Sequence, residues 1–465
     1  MTDMSKLADI ADIYTKQTAH GWTIYVIAPK TSLSPEETAM LQSLYSRSPA
    51  SIVTHLAEVA EKWAQKFMKS FYSWYGHKSI GDCGNILMAF EWVSMLAAKA
   101  IQDSQLYNGQ EASTRYIDFS QQAMIVPGDA GEQKAAACSQ IQEQRREYYI
   151  ALLPKIQDHL RTLHPYEDDM AQGEYDRAIA ARSFDVARGF LPAGASTCVA
   201  WRTTISHAND HLWWLRCHIL EEVQDIAQTT LWLLQEIYPW SFSRPAKEIR
   251  EEYKKKRFLQ HYYLEDIEER SVQISLDASL LTAYKEYVLE RPQWVELPPM
   301  IGECGVIRID DMIDFGSFRD QQRHRALVQR MWLLTDIHGF HPWYLQQLPE
   351  GIKTQAEAFI AKQSEQISAL HLTPYQKQYL FPMGMKIPTR MSWPLGKLIY
   401  FVELRSQKTV HPTLHANAHY ISQRLQHYLS RVFEVEKVPL YVDDEIGVFT
   451  IKRGQQTIFK DGKAI

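Results

Sequence analysis

The sequence has few cysteines and no long apolar run, and each shortage excludes a class of protein. Its five cysteines, Cys83, Cys138, Cys198, Cys217 and Cys304, include no pair separated by two residues in a chain of 465. An odd number at this spacing is a poor disulfide framework and a poor structural zinc site. Charged residues interrupt every apolar stretch well before about 18 residues, so no segment is predicted to span a membrane. We therefore expect a cytoplasmic protein.

Positive charge and phosphate-binding glycine motifs are also scarce. Lys and Arg number 50 against 55 Asp and Glu, which gives a formal net charge of −5. Such a chain has no global positive field to hold a nucleic-acid backbone, so neither nucleic acid nor a membrane is expected as a partner. No dinucleotide fingerprint, P-loop or nucleophile-elbow serine stands between a predicted strand and helix, which argues against those enzyme classes. A small anionic ligand in a local arginine pocket remains compatible with the composition.

The sequence is rich in helical periodicity broken by short strand patterns, which predicts an α+β protein. Residues 23–28 predict a strand. Ser34 and Glu37 form a capping-box pattern around Pro35, which predicts that a helix begins there and runs to about residue 44. Further helices are predicted at 52–71, 132–163, 175–190, 207–237, 259–289, 319–335, 352–370 and 413–432, followed by a β-rich tail at 435–459.

The two halves of the chain resemble each other, which predicts a tandem duplication. Residues 79–86 (SIGDCGNI) resemble residues 300–307 (MIGECGVI), and a Leu-Pro-Ala-Gly at 191–194 has a Phe-Pro-Met-Gly counterpart at 381–384. We place the first domain at residues 1–245 and the second at 246–465. The charged run that starts the second domain is interpreted as a solvated helix or linker, with a phosphate-binding patch as the alternative.

Glu111, Ser113 and Arg115, followed by Tyr116, form the most informative motif of the first half. In an extended segment these alternate residues share one face. That face offers an acceptor for ring or ribose donors, a small donor, and a guanidinium fork that can grip phosphate. A surface ion pair on an edge strand is the alternative from the residues alone.

The second half contributes Arg323, His324 and Arg325 within a predicted helix. Consecutive helical residues point about 100° apart, so no single face can hold all three. Such a run normally has one member in solvent and others directed at different partners, for example two phosphates. A solvated helix face is again the alternative.

Together these motifs resemble the flavin-dependent thymidylate synthases, the thymidylate synthase complementing proteins, whose signature reads RHRxxSxNExSxRY. Here the signature is split between the halves. The first half keeps the Glu-Ser-Arg-Tyr part and the second keeps Arg-His-Arg. Ser79 with Asp82 resembles the preceding HxSxxE element, of which the second half keeps Glu303. Arg188 resembles the arginine of the ARxxLP element, and Arg216 resembles the arginine beside the pyrimidine, with Arg405 as its second-half equivalent.

The resemblance implies a fold and an activity. The fold would be α+β, two tandem copies with helices packed on a mixed or antiparallel sheet. The activity would be reductive methylation of dUMP to dTMP with FAD as cofactor, NADPH as reductant and methylenetetrahydrofolate as the one-carbon donor. Arg216 would be the catalytic residue, stabilising charge on the pyrimidine carbonyls. The implied dUMP ligands are Glu111, Ser113, Arg115, Arg188 and Arg216. The implied FAD ligands are Arg323, His324, Arg325, Glu303, Ser79 and Asp82.

The split signature predicts composite sites formed between the halves, in a homodimer that gives four domains. The family's Asn-x-Arg flavin contact is not evident in either half. Two alternatives therefore stay open: flavin-dependent modification of another pyrimidine nucleotide or of uracil in RNA, and a catalytically silent nucleotide-binding or assembly protein. No metal is expected, although two histidine pairs at i and i+4 have metal-ligand spacing, because no catalytic Glu stands between them.

Overall fold

The computed structural model divides into two compact units that each use separated stretches of chain. It describes residues 11–30, 33–48, 51–59, 61–74, 77–115, 117–167, 171–242, 248–262, 270–444, 459–460 and 463–464. Unit 1 contains the described residues of Met1–Ala112, Gln122–Ala135 and Gly194–Gln260, and unit 2 contains those of Ser113–Gln121, Ala136–Ala193 and His261–Ile465. The predicted domains divide the chain by sequence repeat, whereas these units divide it by contacts. The units therefore do not test the limits at 245 and 246, which stay a prediction.

Described elements up to residue 262 alternate short strands with helices. They are β1 (Ala11–Gln17), β2 (Thr23–Pro29), α1 (Pro35–Tyr45), α2 (Ile52–Glu58), α3 (Glu61–Phe67), a π-helix (Met68–Trp74), α4 (Lys78–Gly81), β3 (Asn85–Ser94), α5 (Met95–Gln102), β4 (Asn108–Glu111), a 3-10 turn (Gly128–Ala130), α6 (Glu132–Leu163), α7 (Gln172–Ala187), a 3-10 turn (Arg188–Phe190), β5 (Ser196–Thr204), α8 (Ile205–Leu215), α9 (Glu221–Ile237), α10 (Pro239–Phe242) and α11 (Glu248–Tyr262).

The later elements follow a similar alternation. They are β6 (Ser271–Leu276), α12 (Ala278–Ala283), α13 (Lys285–Leu289), a 3-10 helix (Pro299–Cys304), β7 (Gly305–Asp314), α14 (Phe315–Gln321), β8 (Val328–Met331), α15 (Pro342–Gln346), α16 (Glu350–Ala369), α17 (Pro374–Lys377), β9 (Lys386–Pro394), α18 (Leu395–Arg405), α19 (Pro412–Phe433), β10 (Phe459–Lys460) and β11 (Lys463–Ala464).

Each unit is built around one antiparallel sheet. The first sheet has the order β1-β2-β3-β5-β4 and the second has the order β6-β7-β9-β8. In β3, Ile86, Met88 and Phe90 are buried while Asn85 and Leu87 are exposed, so one face of the strand enters the core. Helices α5 and α9 pack on the first sheet, and α14 and α19 pack on the second.

The order of elements repeats along the chain. β3, α5 and β4 are followed after an interval by β5, α8 and α9, and β7, α14 and β8 are followed by β9, α18 and α19 in the same order. The two sheets repeat the same strand order. In β3-β5-β4 and in β7-β9-β8, the strand that comes second in the sequence lies at the edge of the sheet. The α+β class is confirmed, and the repeated order supports the predicted duplication.

Most long helices agree with the prediction. α6 has the predicted limits, α16 and α19 differ from them by one or two residues at each end, and the capping box is present, because the Ser34 side chain accepts from the backbone of Glu37. The predicted helix at 207–237 is two helices. The chain breaks after Leu215, where the His218 ring accepts the N–H of Leu220 at 3.0 Å, and restarts at Glu221.

Three predicted elements are wrong in part. Residues 271–276 form β6 instead of the middle of a helix, since pairing with β7 extends their alternating Ser-Val-Gln-Ile-Ser-Leu pattern. The predicted helix at 319–335 ends at Gln321, and β8 then pairs with β9. The predicted β-rich tail has no strand at 435–444, residues 445–458 lie outside the described part, and β10 pairs with β11. Among the described residues no helix is long and apolar enough to cross a bilayer.

Candidate functional site

Four arginines of unit 2 lie around one aspartate, and we call this group the arginine cluster: Arg115, Arg188, Arg323 and Arg405 around Asp320. Arg188 stands at the end of α7, Asp320 lies in the last turn of α14, and Arg405 is the last residue of α18. The chain therefore brings together two predicted nucleotide ligands from its first half, one predicted flavin ligand from its second half, and the second-half equivalent of Arg216.

The carboxylate of Asp320 lies at the centre of the cluster but makes only long contacts with the arginines. One carboxylate oxygen lies 3.8 Å from Nη1 of Arg188 and the other lies 3.8 Å from Nε of Arg323, while Nη2 of Arg405 donates to the backbone carbonyl of Asp320 at 2.7 Å. The Asp320 side chain remains 18% exposed. Burial alone would raise its pKa, but the guanidinium groups of Arg188, Arg323 and Arg405 outweigh burial and lower the pKa to about 2.

Arg115 is held much more tightly than the arginines beside Asp320. Its Nε and Nη2 donate to the two carboxylate oxygens of Asp185 at 2.6 and 2.9 Å, and Nη2 also donates to the backbone carbonyl of Thr409 at 3.3 Å. The Asp185 side chain is only 1% exposed. A bidentate pair of this geometry fixes the plane of the guanidinium, so Arg115 is preorganised.

Arg188 forms the buried floor of the cluster. Its Nη2 donates to Oγ of Ser317 at 3.1 Å, and its buried Nε has no hydrogen-bond partner among the described atoms. Ser317 is in the first turn of α14, where its backbone N–H donates to the N-cap carboxylate of Asp314 at 2.8 Å. The hydroxyl of Tyr344 donates to the same carboxylate oxygen at 2.8 Å. The cap of α14 thus supports the floor.

His324 binds an arginine instead of acting as a cation. Nε of Arg405 donates to Nε2 of His324 at 2.9 Å, and the ring packs edge-on against Phe401 with centroids 4.9 Å apart. Burial, and then the charge of Arg405, lower the pKa of His324 well below its usual value. The imidazole is therefore neutral and accepts a hydrogen bond, which orients the Arg405 guanidinium.

The Arg-His-Arg run is not in a helix, which corrects the predicted context. It lies in the turn between α14 and β8, with His324 directed inward and Arg323 46% exposed. The expectation of one member in solvent and others with different partners fits this arrangement. The exposed guanidinium of Arg323 suits a diphosphate, as does the partly exposed side chain of Arg325, whereas a neutral, engaged His324 does not suit one.

The other predicted flavin ligands are at the surface. Glu303 is exposed in the 3-10 helix before β7, and Ser79 is exposed in α4 of unit 1. Asp82, also exposed, caps the end of α4 and accepts a hydrogen bond from Oγ of Ser206. None of the three lies in the arginine cluster.

Arg216 lies in unit 1 and has a carboxylate partner. Its Nη1 is 3.3 Å from Oε1 of Glu251 in the charged helix α11, and its guanidinium stacks on Trp213 at 4.3 Å from the ring centroid. It lines a cleft of about 420 Å³ together with the carboxylates of Glu221, Asp225 and Glu251, and with Lys255 and His20. Because three carboxylates line this cleft against one arginine and one lysine, it is less suited to a phosphate than the arginine cluster is.

The Glu-Ser-Arg-Tyr motif is extended only at its start. Glu111 ends β4, and one of its carboxylate oxygens accepts a hydrogen bond from the Gln102 side chain at 2.7 Å. Ser113 lies beyond the strand in unit 2, where its Oγ accepts the backbone N–H of Arg115 at 3.3 Å. The three side chains therefore do not form the predicted face of one strand, and Tyr116 lies outside the described residues.

Sequence reasoning missed the acidic members of the cluster. Asp320 stands three residues before Arg323, and Asp185 stands one helical turn before Arg188, where an i, i+3 carboxylate could have been noticed. Their partners come from distant parts of the chain, which spacing alone does not show. The histidines of one i, i+4 pair, His207 and His211, stack 5.7 Å apart, and the described residues contain no group of three or more potential metal ligands.

Asp320 gives a testable dependence of stability on pH. Its folded pKa of about 2 lies below the ordinary value of 3.8, so it stabilises the fold above pH 4, and this contribution is lost as pH falls through 2. Its size is about 2 kcal/mol, of which about 1 kcal/mol should be gone by pH 3. Urea unfolding of the wild type and Asp320→Asn between pH 6 and pH 3 measures it. A stability difference that does not shrink toward pH 3 would contradict the assignment.

Comparison with known proteins shows that the first part of this chain is similar to a known family. The family described as thymidylate synthase complementing protein matches residues 24–240. The chain is also 25% identical to a UPF0159 protein of Chlamydia muridarum, over 76% of this chain and 77% of that protein. A UPF0159 protein of Chlamydia pneumoniae is 24% identical over 72% and 73%, and one of Thermoplasma acidophilum is 23% identical over 80% and 89%.

The two kinds of match cover different lengths. The family match ends before α11, whereas the relatives match about three-quarters of both chains, which takes them into the second half. The resemblance predicted from the motifs is confirmed for residues 24–240, and the relatives are consistent with a longer, diverged form. A thymidylate synthase-related function follows at this coarse level.

Proposed function

Taking as the premise that residues 24–240 match the thymidylate synthase complementing protein family, we propose that the chain is an FAD-dependent thymidylate synthase. It would methylate dUMP to dTMP with methylenetetrahydrofolate and NADPH, in the cytoplasm and as a homodimer. The observation that supports this most is the arginine cluster. Motif residues split between the halves of the sequence meet in unit 2, as a composite site requires.

In this proposal the cluster binds the nucleotide. Arg115, fixed by Asp185, and Arg188 provide positive charge for the phosphate, and Ser113 stands two residues from Arg115. We assign the pyrimidine to Arg405 in preference to Arg216. Arg405 lies beside the phosphate arginines and is oriented by His324, so its guanidinium would stabilise charge on the pyrimidine carbonyl oxygens.

FAD would be held through its diphosphate by Arg325 and by the solvent-exposed part of the Arg323 guanidinium, whose Nε lies nearest Asp320. Bound flavin reduced by NADPH would supply the hydride that completes the methyl group. The roles of Glu303, Ser79 and Asp82 stay predictions, because each is a surface residue with no feature specific to flavin. Glu111 likewise stays a predicted dUMP ligand.

A catalytically silent nucleotide-binding protein is the second candidate. It is favoured by the carboxylates of Asp185 and Asp320, which already neutralise two of the guanidinium groups. Modification of uracil in RNA is a third reading, and the net charge of −5 argues against it.

Thymidine-requiring bacteria test the proposal directly. We expect the intact gene to restore growth without thymidine, and Arg323→Ala to abolish the rescue because the diphosphate would lose its exposed guanidinium. The purified protein should take up FAD and show a flavin absorbance band that NADPH bleaches when dUMP is present. Soluble expression of each variant, checked by immunoblot, is the control.

The outcomes separate the candidates. Failure of the soluble wild type to rescue growth would exclude the thymidylate assignment. A colourless protein that takes up no flavin but binds dUMP in calorimetry would favour the silent protein. Rescue by Arg323→Ala would contradict the role given to the Arg-His-Arg run.

A further inference from the structure

We propose that Asp320 is an exchangeable counter-ion: it occupies the anion position of the arginine cluster until a phosphomonoester dianion displaces it. The inference rests on the proposed function, because it concerns the same nucleotide site. It adds a residue that sets the affinity and charge class of the ligand.

The geometry distinguishes Asp320 from a structural carboxylate. Asp185 binds Arg115 through two hydrogen bonds at 2.6 and 2.9 Å and is almost fully buried. Asp320 approaches Arg188 and Arg323 only to 3.8 Å, beyond hydrogen-bond distance, and retains contact with solvent. Contacts of this length contribute charge without directional bonds, so a better-fitting anion can replace them.

The backbone of Asp320 does not need to move in the exchange. Arg405 binds the carbonyl of Asp320 at 2.7 Å and not its carboxylate, so this bond persists when the side chain rotates. Asp320 is the penultimate residue of α14, next to the turn that carries Arg323. Among the contacts of the described residues, rotation toward solvent from this position breaks the two at 3.8 Å.

Charge balance indicates which anion fits. The four arginines of the cluster and the carboxylates of Asp185, Asp314 and Asp320 together carry one net positive charge. When Asp320 turns away, the remaining groups carry a net charge of two. A phosphomonoester, which is close to a dianion at neutral pH, would neutralise it, whereas a phosphodiester carries only one charge. The cluster therefore suits a terminal nucleotide phosphate better than a polynucleotide backbone.

Calorimetric titration of the full-length chain tests the exchange. The ligands are dUMP, its 5′-methyl ester, deoxyuridine and inorganic phosphate, and the proteins are wild type, Asp320→Asn, Asp320→Glu and Asp185→Asn. We expect Asp320→Asn to bind dUMP about tenfold more tightly or better, because no carboxylate competes. Asp320→Glu keeps the charge on a longer side chain that can reach the arginines, so it should weaken binding. Wild type should prefer dUMP to its methyl ester and to deoxyuridine.

The controls separate this role from others. Asp185→Asn frees Arg115 from its anchor and should weaken dUMP binding. An equal gain in Asp185→Asn and Asp320→Asn would show a general charge effect and overturn the proposal, as would weaker or unchanged dUMP binding in Asp320→Asn.

Inorganic phosphate distinguishes failure of this proposal from failure of the proposed function. If Asp320→Asn gains thermal stabilisation by phosphate but dUMP binds no better than phosphate does, the counter-ion role stands and the nucleotide assignment falls. If neither phosphate nor dUMP binds Asp320→Asn more tightly than wild type, the counter-ion role is wrong. Each protein is compared with its own ligand-free state, so a lower intrinsic stability of the variant does not affect the reading.

Discussion

In the proposed reaction, Arg405→Ala is expected to lower kcat/KM for dUMP methylation by about 10²–10³-fold, the usual loss when one preorganised donor to developing charge is removed. The reason lies in the way the structure holds this side chain. Nε of Arg405 donates to the neutral ring of His324 at 2.9 Å, and Nη2 donates to the carbonyl of Asp320 at 2.7 Å. These two hydrogen bonds fix the plane of the guanidinium. The N–H groups that they leave unused therefore point in a defined direction before a ligand binds.

Arg216→Ala is the informative comparison, because the resemblance implies Arg216 at the corresponding position of the first half. Steady-state assays with dUMP as the varied substrate should show a smaller loss for Arg216→Ala than for Arg405→Ala. The opposite order would assign the pyrimidine to Arg216 and contradict our choice. Arg424→Ala, which removes an exposed arginine stacked on Tyr420 outside the cluster, is the matched control for loss of one positive charge.

His324 provides a second way to examine the same interaction. His324→Gln keeps a side-chain acceptor for Nε of Arg405, whereas His324→Ala removes it. A positioning role predicts that Gln retains much more of kcat than Ala. Equal losses would indicate that the imidazole contributes something other than a neutral acceptor.

The helices of this fold were predictable where they are long and their apolar positions recur at helical spacing. α6, α16 and α19 satisfy this condition, and local signals such as the capping box of α1 fixed a start as well. The strands were harder. In β3 the exposed Leu87 and the partly buried Ala89 are apolar too, so burial on one face leaves no clean alternation in the sequence.

The errors near the site have a common cause. β6 and β8 are short strands that exist because β7 and β9 offer edges to pair with, and a window of sequence contains no information about those edges. The Arg-His-Arg run consequently moved from a predicted helix to a turn. That change matters for chemistry, since it directs His324 inward and leaves Arg323 in solvent.

The types of residue in the site were predictable, but not their pairing. Motif comparison selected Arg115 and Arg188 in the first half and Arg323 in the second half, each independently of the others. Which of them share a site depends on how unit 2 is assembled from three stretches of chain. The carboxylates that determine whether these arginines are available, Asp185 and Asp320, lie near the motif arginines in the sequence, but only the contacts show which arginines they hold.

Glu403→Ala is expected to destabilise the fold by about 3–5 kcal/mol, because it leaves Arg291 as an uncompensated buried charge. The side chains of both residues are at most 4% exposed, and they form a bidentate pair in which Nη1 of Arg291 donates to Oε2 of Glu403 at 3.1 Å. Glu403 also accepts the backbone N–H of Tyr441 at 3.1 Å, and Arg291 donates to the carbonyl of Pro439 at 3.3 Å. The pair therefore fastens residues 439–441 to α18.

Urea unfolding measures this loss, and the same helix offers a matched control. Lys397 of α18 pairs with Glu296 at 2.6 Å, but their side chains are 41% and 52% exposed. Glu296→Ala removes a carboxylate from an exposed pair and should change stability by no more than about 1 kcal/mol. A loss for Glu403→Ala as small as that for Glu296→Ala would show that the buried pair is not needed for stability. The double variant Arg291→Met/Glu403→Met should recover much of the loss, since it removes both charges together.

The Glu403 experiment also distinguishes carboxylates that stabilise the fold from a carboxylate that a ligand can displace. Residues two apart on a helix point about 200° apart, so Glu403 and Arg405 bind on opposite sides of α18. The Glu403 side chain is paired with Arg291 and buried. The carboxylate of Asp320, whose backbone carbonyl binds Arg405, has only 3.8 Å contacts and is partly exposed. Removing Glu403 should therefore reduce stability without tightening dUMP binding, and removing Asp320 should tighten it. If both substitutions tightened dUMP binding equally, the distinction drawn from burial and contact distance would be wrong.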